Sequence, residues 1–290
     1  MTVQTLDQLN KSAAAHAHHV APAEASVASQ MLEIVKHRKI LALLVGRDIS
    51  SRYKGSLLGR LWPLVHPMGQ LLIYTFVFSI VLKIRFADNP STGSFAVYFM
   101  AGLIAWSIFS ESISRSTTVI LENPNLVTKV VFPTEILPLV NVFSALSTQF
   151  LAFTVLFVTS IFYVGGVHPT VLYVPLLAVP LVCFSAGISW FLASLGVYLR
   201  DTRHMISLAL QAGMYATPIL YPSKSIPAEY RWILIVNPLS GIIDDFRRVL
   251  LEGRMPDWSN FALYTSISLV TFFAGWYFFL KTKKSFADVM

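Results

Sequence analysis

Residues 31–68, MLEIVKHRKILALLVGRDISSRYKGSLLGRLWPLVHPM, run a basic amphipathic stretch straight into the first long apolar segment, and the reading of that junction orders the rest of the chain. At about 100° per residue, Met31, Ile34, Val35, Leu41, Ala42, Val45, Ile49 and Tyr53 gather on one side. Glu33, Lys36, His37, Arg47, Asp48, Ser51 and Lys54 lie opposite, while Ile40 and Leu44 fall among the polar residues and Arg38 among the apolar ones. Such a helix lies flat on a membrane surface. Gly55 and Gly59 loosen its end, Trp62 suits a headgroup-level anchor, and Pro63 and Pro67 are tolerable in the first turns of a new helix. From physics alone the stretch serves equally as a plain juxtamembrane anchor that sets orientation.

Composition fixes the class. Of 290 residues, 55% are hydrophobic and 13% charged, with a mean hydropathy of +0.62, too little charge for an ordinary soluble domain. The net charge of +7 does not point to nucleic acid, because the basic residues sit beside apolar segments instead of forming one stripe. The one cysteine, Cys183, excludes an internal disulfide and reads as a small buried hydrophobe. Residues 1–30, rich in Ala, Ser and Gln, lack a signal-peptide core and read as a disordered cytoplasmic tail, where His16, His18 and His19 have no surroundings to support a metal.

Six segments are long and apolar enough to approach the roughly 20 helical residues a bilayer core requires: 64–82, 95–114, 136–164, 171–197, 204–220 and 259–280. The expected architecture is an all-α integral membrane protein: a tail over 1–30, an interface helix over 31–62, and a six-span domain over 63–290. With both termini on one side, that side collects 15 of the 22 Lys and Arg residues, which places both ends in the cytoplasm. Glu111, near the inner end of the second span, needs a partner at that depth, and Arg115 four residues on is correctly placed for a helical pair.

Two connections carry structure of their own. In 115–135, RSTTVILENPNLVTKVVFPTE, Thr117–Glu122 reads as a short helix that Asn123 and Pro124 break, and Pro133 halts any further helix ahead of the third span. The outer segment from Tyr221 to Trp258 is too polar to span and too apolar for a plain loop. Pro227 opens one helix ending near Val236, Asn237 and Pro238 cap and open a second, and Gly253 stops it. Two short helices that dip in and return make a re-entrant outer gate. Asp244 and Asp245 are both spaced to pair with Arg248.

Chemistry is absent from the pattern. No Gly-Lys dipeptide occurs, so there is no phosphate-cradling loop, and neither H-E-x-x-H, G-x-S-x-G nor a Cys/His cluster with metal spacing appears. Apart from Glu111 the spans hold no acid, as a proton- or sodium-driven carrier would require. No metal and no cofactor is expected on this chain, and its driving force must come from another subunit. A membrane-embedded lipid-modifying enzyme would need an acid/base or metal constellation that is not visible, and a structural scaffold would tolerate loss of Arg52 or Lys54 in silence.

The run Arg47-Asp48-Ile49, then Arg52-Tyr53-Lys54-Gly55-Ser56-Leu57-Leu58-Gly59-Arg60-Leu61-Trp62-Pro63-Leu64, resembles the opening of the permease subunits of type-2 ABC exporters for polysaccharides, above all the O-antigen and teichoic-acid branches. N-P-x-L-V-x-K-V-x-F-P over 123–133 and N-P-L-S-G-I-I-D-D-F-R over 237–247 are similar to that family too, so the resemblance covers about 31–290. It implies a homodimer above two nucleotide-binding subunits that hold ATP and Mg, a pore at the dimer seam, a location in the cytoplasmic (inner) membrane, and a lipid-linked glycan as cargo. Teichoic acid, capsule or a small hydrophobic drug are alternative cargoes for the same architecture. Carried over residue by residue, Arg47, Arg52, Lys54 and Arg60 would admit the lipid diphosphate, and a coupling helix with Asn123, Asn125, Leu126, Lys129 and Phe132 would dock on the ATPase. Asn237, Pro238, Asp244, Asp245 and Arg248 would form the gate. Phe95, Tyr98, Phe99 and Trp106, on one helix face, with Tyr215 and Tyr221, are candidate pore aromatics, though an interfacial aromatic belt uses the same residues.

Overall fold

The first helix, α1 (Arg38–Arg52), buries no side chain completely. Its half-buried residues are Leu41, Leu44, Val45, Asp48, Ile49 and Arg52, spaced i, i+3, i+4, i+7, i+8 and i+11. Leu41, Val45 and Ile49 lie on the face expected from hydrophobicity, but Leu44 and Asp48 join it, Asp48 because Arg115 of the facing helix reaches it across the gap. Gly55 and Gly59 adopt φ of +83° and +47°, left-handed values that suit glycine and end the helix. Trp62 donates its ring N–H to Ser56 Oγ and opens α2 (Trp62–Tyr74), with Pro63 and Pro67 accommodated early, and the chain continues as a π-turn over Thr75–Val81.

The computed structural model describes residues 35–52, 54–82, 94–128, 132–164 and 168–289. The tail with its three histidines, Tyr53 and Lys129 lie outside the described residues, as does the side chain of Arg60. Two units are distinguished, Met1–Ile40 and Leu41–Met290; in the first, the described residues hold the start of α1.

Among the described residues, four helical stretches are long and apolar enough to cross a membrane. They contain α3 (Ser94–Ser116), α5 (Ile136–Val164) and α6 (Val174–Tyr198), reached through α4 (Pro124–Thr128) and a 3₁₀ turn at Pro169–Tyr173. After α7 (Thr202–Ala216), α8 (Trp232–Val236) and α9 (Pro238–Leu250), α10 (Trp258–Thr282) is the fourth, and α11 (Phe286–Val289) closes the chain. These four match the second, third, fourth and sixth expected spans. The apolar part of the first is short, Leu64–Phe78. The fifth is shorter than expected: α7 has 15 residues, about 22 Å, and stops at Ala216 because Thr217 is extended ahead of Pro218.

The most enclosed span is α3: 72% of its apolar window is buried, against 22–33% for the others, as α2, α5, α6, α7 and α9 surround it. Beside it, α6 and α10 approach until their backbones touch. A Cβ on Gly275 would overlap the Gly187 carbonyl, and one on Gly187 would overlap that of Thr271, so only hydrogen fits at either position. Trp190 and Trp276, both buried, meet edge to face at 4.7 Å alongside.

The connections differ instructively from expectation. Thr117–Glu122 forms a turn, and the helix is α4, which begins at Pro124. The Asn-Pro dipeptide opens a helix here, as it does at α9, where Asn237 accepts from the Leu239 N–H at 3.1 Å. The outer helix expected from Pro227 is a 3₁₀ turn at Ala228–Tyr230 followed by the five residues of α8. Gly253 ends the outer structure as expected, at φ +65°.

Candidate functional site

At the cytoplasmic end expected from the charge count, α1 and α3 each present an acid followed four residues later by a base. Asp48 and Arg52 lie on α1, Glu111 and Arg115 on α3. The pairs cross: Arg115 donates to Asp48 at 2.9 and 2.5 Å, and Arg52 donates to Glu111. Arg52 also donates to Asp48 at 2.9 and 3.2 Å, while the expected Glu111–Arg115 pair stands at 3.9 Å. Four charges thus cancel within one partly enclosed cluster.

Burial alone would raise the Asp48 carboxyl, but the guanidiniums of Arg115 and Arg52 outweigh it and hold its pKa at about 2. A depressed carboxylate pKa contributes stability above its unfolded value near 4 and loses it as pH falls through the folded value. Wild type and Asp48→Asn should therefore differ in melting temperature by a constant amount from pH 7 down to about 4, and the gap should close toward pH 2. Thermal melts in detergent across that range measure it; a gap that closes between pH 7 and 5 would assign the stabilisation to another group.

Of the residues suggested for lipid admission, Arg52 is therefore engaged by two carboxylates, whereas Arg47 and Lys54 are exposed. On α4 no side chain is buried; Asn125 is exposed, and Leu126 and Phe132 are half-buried. Asn123 donates its side-chain amide to the Val119 carbonyl at 2.9 Å and so fastens α4 to the turn before it.

The aromatic face of α3 is sealed. Phe99 packs on Tyr74 at 4.4 Å and Phe95 on Phe78 at 4.8 Å. Trp106 is buried against Gly213 of α7, close enough that a Cβ there would sit 3.0 Å from the indole. These three form core between α3 and its neighbours. By contrast α7 is open: Thr202 is its one buried side chain, and Tyr215 is 67% exposed. His204, Ser207, Gln211 and Tyr215 are all exposed and fall within about 80° of helix circumference, a polar stripe ending in an aromatic ring. Tyr221 donates its hydroxyl to the Tyr215 carbonyl at 2.7 Å and holds that ring's backbone in place.

The outer segment is organised by a residue that sequence reasoning misses. Arg247 of α9 is 2% exposed. It donates to the carbonyls of Pro218 at 2.6 Å, Ile219 at 2.8 Å and Tyr98 at 3.2 Å, and its guanidinium lies 3.7 Å above the Tyr98 ring. Asp244 stands 3.8 Å from it and accepts from Ser223, which replaces the expected Asp244–Arg248 pair. The expected Asp245–Arg248 pair is present at 3.9 Å, but buried Asp245 is chiefly bound by the Tyr264 hydroxyl at 2.8 Å and the Asp257 N–H at 2.9 Å. Asn237 donates to Thr217 Oγ1 at 2.9 Å. The stretch Thr217–Ile219, where α7 ends, is thus gripped by α9 at two points. A signal was readable: Ile243, Arg247 and Leu250 share one apolar stripe, and a cation there requires internal acceptors. Among the described residues no group of three or more His, Cys, Asp or Glu side chains could hold a metal.

Among the described residues the arrangement is helical, with four stretches long and apolar enough to cross a membrane, and the chain is similar to known transport proteins. An O-antigen export system permease protein of Klebsiella pneumoniae is 30% identical over 255 residues, 87% of this chain and 95% of that protein. One from Myxococcus xanthus is 29% identical over 260 residues, 88% and 97% respectively. A polysialic acid transport protein of Escherichia coli is 25% identical over 232 residues, 79% and 88%. The model of the ABC-2 type transporter family matches residues 40–251, and on that match, together with the relatives' near-complete coverage, the chain belongs to the ABC-2 type transporter family.

Proposed function

We propose that this chain is the transmembrane subunit of an ATP-driven exporter that passes a lipid-linked polysaccharide, an O-antigen on a polyprenyl diphosphate, from the inner to the outer face of the cytoplasmic membrane. The observation that carries the reading is the likeness to O-antigen export permeases along nearly their whole length. The chain works as a homodimer with two nucleotide-binding subunits on its cytoplasmic side and both termini there. α4, which buries no side chain completely, is the handle on which each motor pulls.

Six crossings are assigned, with α2 and α7 as the two short ones. A helix of about 22 Å with Gln211 on its open side suits a water-lined seam better than lipid, which cannot satisfy an exposed amide. The pore therefore runs along the His204–Tyr215 stripe instead of the sealed α3 aromatics, and Tyr215 offers a ring on which sugar faces stack without directional hold. Arg47 and Lys54, the exposed cations near the interface helix, suit a diphosphate headgroup. A second reading, export of an acidic capsule polymer, draws on the likeness to the polysialic acid transporter.

Deleting the gene in its own host should leave full-length polymer on the cytoplasmic side, with surface polymer lost. Loss of surface O-antigen with capsule intact selects the first cargo and the converse selects the second. Normal display of both in a strain without another such exporter rejects the proposal.

A further inference from the structure

We infer that Asp48, Arg52, Glu111 and Arg115 form a joint that makes the interface helix α1 follow the motor-side segment α4, and that they are positioning residues for transport, not ligands of the cargo. The inference rests on the exporter reading above and specifies how force would travel within it.

The geometry divides into a rigid part and a lightly held one. From Arg115 to α4 there is no slack. Asn141 donates to Ser116 Oγ at 3.4 Å, and Thr117 Oγ1 donates to the Ser114 carbonyl at 2.8 Å. The Thr117 carbonyl abuts Gly196 so closely that no side chain fits there. The Glu122 N–H then donates to Thr118 at 2.9 Å, and the Asn123 amide holds Val119. Beyond α4, Glu135 is fixed twice: Lys283 approaches its carboxylate at 3.4 Å, and Trp190 donates to its carbonyl at 2.9 Å. Any displacement of α4 is thereby imposed on the end of α3.

The helix α1 is different. It buries no side chain fully, so apolar packing alone holds it weakly. Its polar tie to α3 is the crossed quartet, in which each arginine reaches the acid of the other helix and the ions are only 17–34% exposed. Partly enclosed, multiply paired ions keep more of their attraction than surface pairs. Removing one acid leaves two guanidiniums competing for the other, and α1 loses its registration on α3. Arg52, with both forks occupied by carboxylates, has no charge left over for a phosphate.

The test uses the complete complex with its nucleotide-binding subunit in liposomes, measuring ATP hydrolysis and translocation of a fluorescent undecaprenyl-diphosphate oligosaccharide for each assembled complex. Asp48→Asn and, separately, Glu111→Gln should assemble and hydrolyse ATP within about twofold of wild type while moving about tenfold less glycan per ATP. Inverting the whole quartet, with Asp48→Arg, Arg52→Asp, Glu111→Arg and Arg115→Glu together, should restore most of that ratio. Unchanged glycan per ATP in Asp48→Asn and Glu111→Gln overturns the joint, as does parallel loss of both activities. An inverted quartet no better than Asp48→Asn overturns it as well, by assigning the effect to the individual charges. A wild-type complex that hydrolyses ATP without moving glycan would reject the exporter reading itself.

Discussion

Arg247→Met is expected to destabilise the chain by about 3–5 kcal/mol, because it removes a buried cation's contacts and leaves its acceptors with nothing in exchange. Methionine fills much of the same space, so the loss is one of polar partners more than of packing. The carbonyls of Pro218 and Ile219 lie where α7 has ended, and that of Tyr98 lies in the first turns of α3; Arg247 donates to all three. In so enclosed a site no water is at hand to take over, and Asp244 would lose its nearest cation. Arg247→Lys should cost less but remain damaging, since one ammonium cannot reproduce a planar fork that serves adjacent carbonyls while lying over a ring. Melting in detergent should fall on the order of 10 °C for Met and roughly half that for Lys. A Met variant that melts with wild type would mean that α9 is held by its apolar residues alone and that the buried guanidinium is incidental.

What the chain reveals without coordinates depends on how far each interaction reaches. Asn237 and Pro238 start α9 by contacts within three residues, and both the cap and the helix start are legible. The same dipeptide at Asn123-Pro124 reads as a break, yet proline at a first helical position needs no N–H, and α4 starts there. Four spans match because sustained hydropathy over more than 20 residues has few other uses in a helix. The fifth comes out too long because Ile219 and Leu220 are apolar, although Thr217-Pro218 already disfavours helix. Long-range pairs are not legible at all. Nothing near Asp48 announces that Arg115, 67 positions away, will turn it inward, and Arg52 reads as a phosphate ligand while its partner Glu111 lies 59 positions off. Periodicity likewise places Phe95, Phe99 and Trp106 on one face but cannot say whether that face meets a pore or another helix; the structure covers it with α2, the π-turn that follows it, and α7.

On the proposed reading, α4, with no side chain fully buried, and the exposed polar stripe of α7 belong to a conduit driven from outside itself. The sequence holds no Gly-Lys dipeptide and the proposed spans no acid beyond Glu111, and the proposal accordingly puts the driving force on a partner subunit. The dependence on a partner should accordingly be all-or-none, the largest effect expected of any change to the system. The direct measurement is protease-protected or quencher-protected labelled lipid-linked polysaccharide in liposomes that hold the purified chain with or without its nucleotide-binding subunit. Movement is expected only when the partner, ATP and Mg²⁺ are all present, and none is expected from the chain alone under a proton or sodium gradient. Transport by the chain alone, or transport by the complex with ATP withheld, would contradict it.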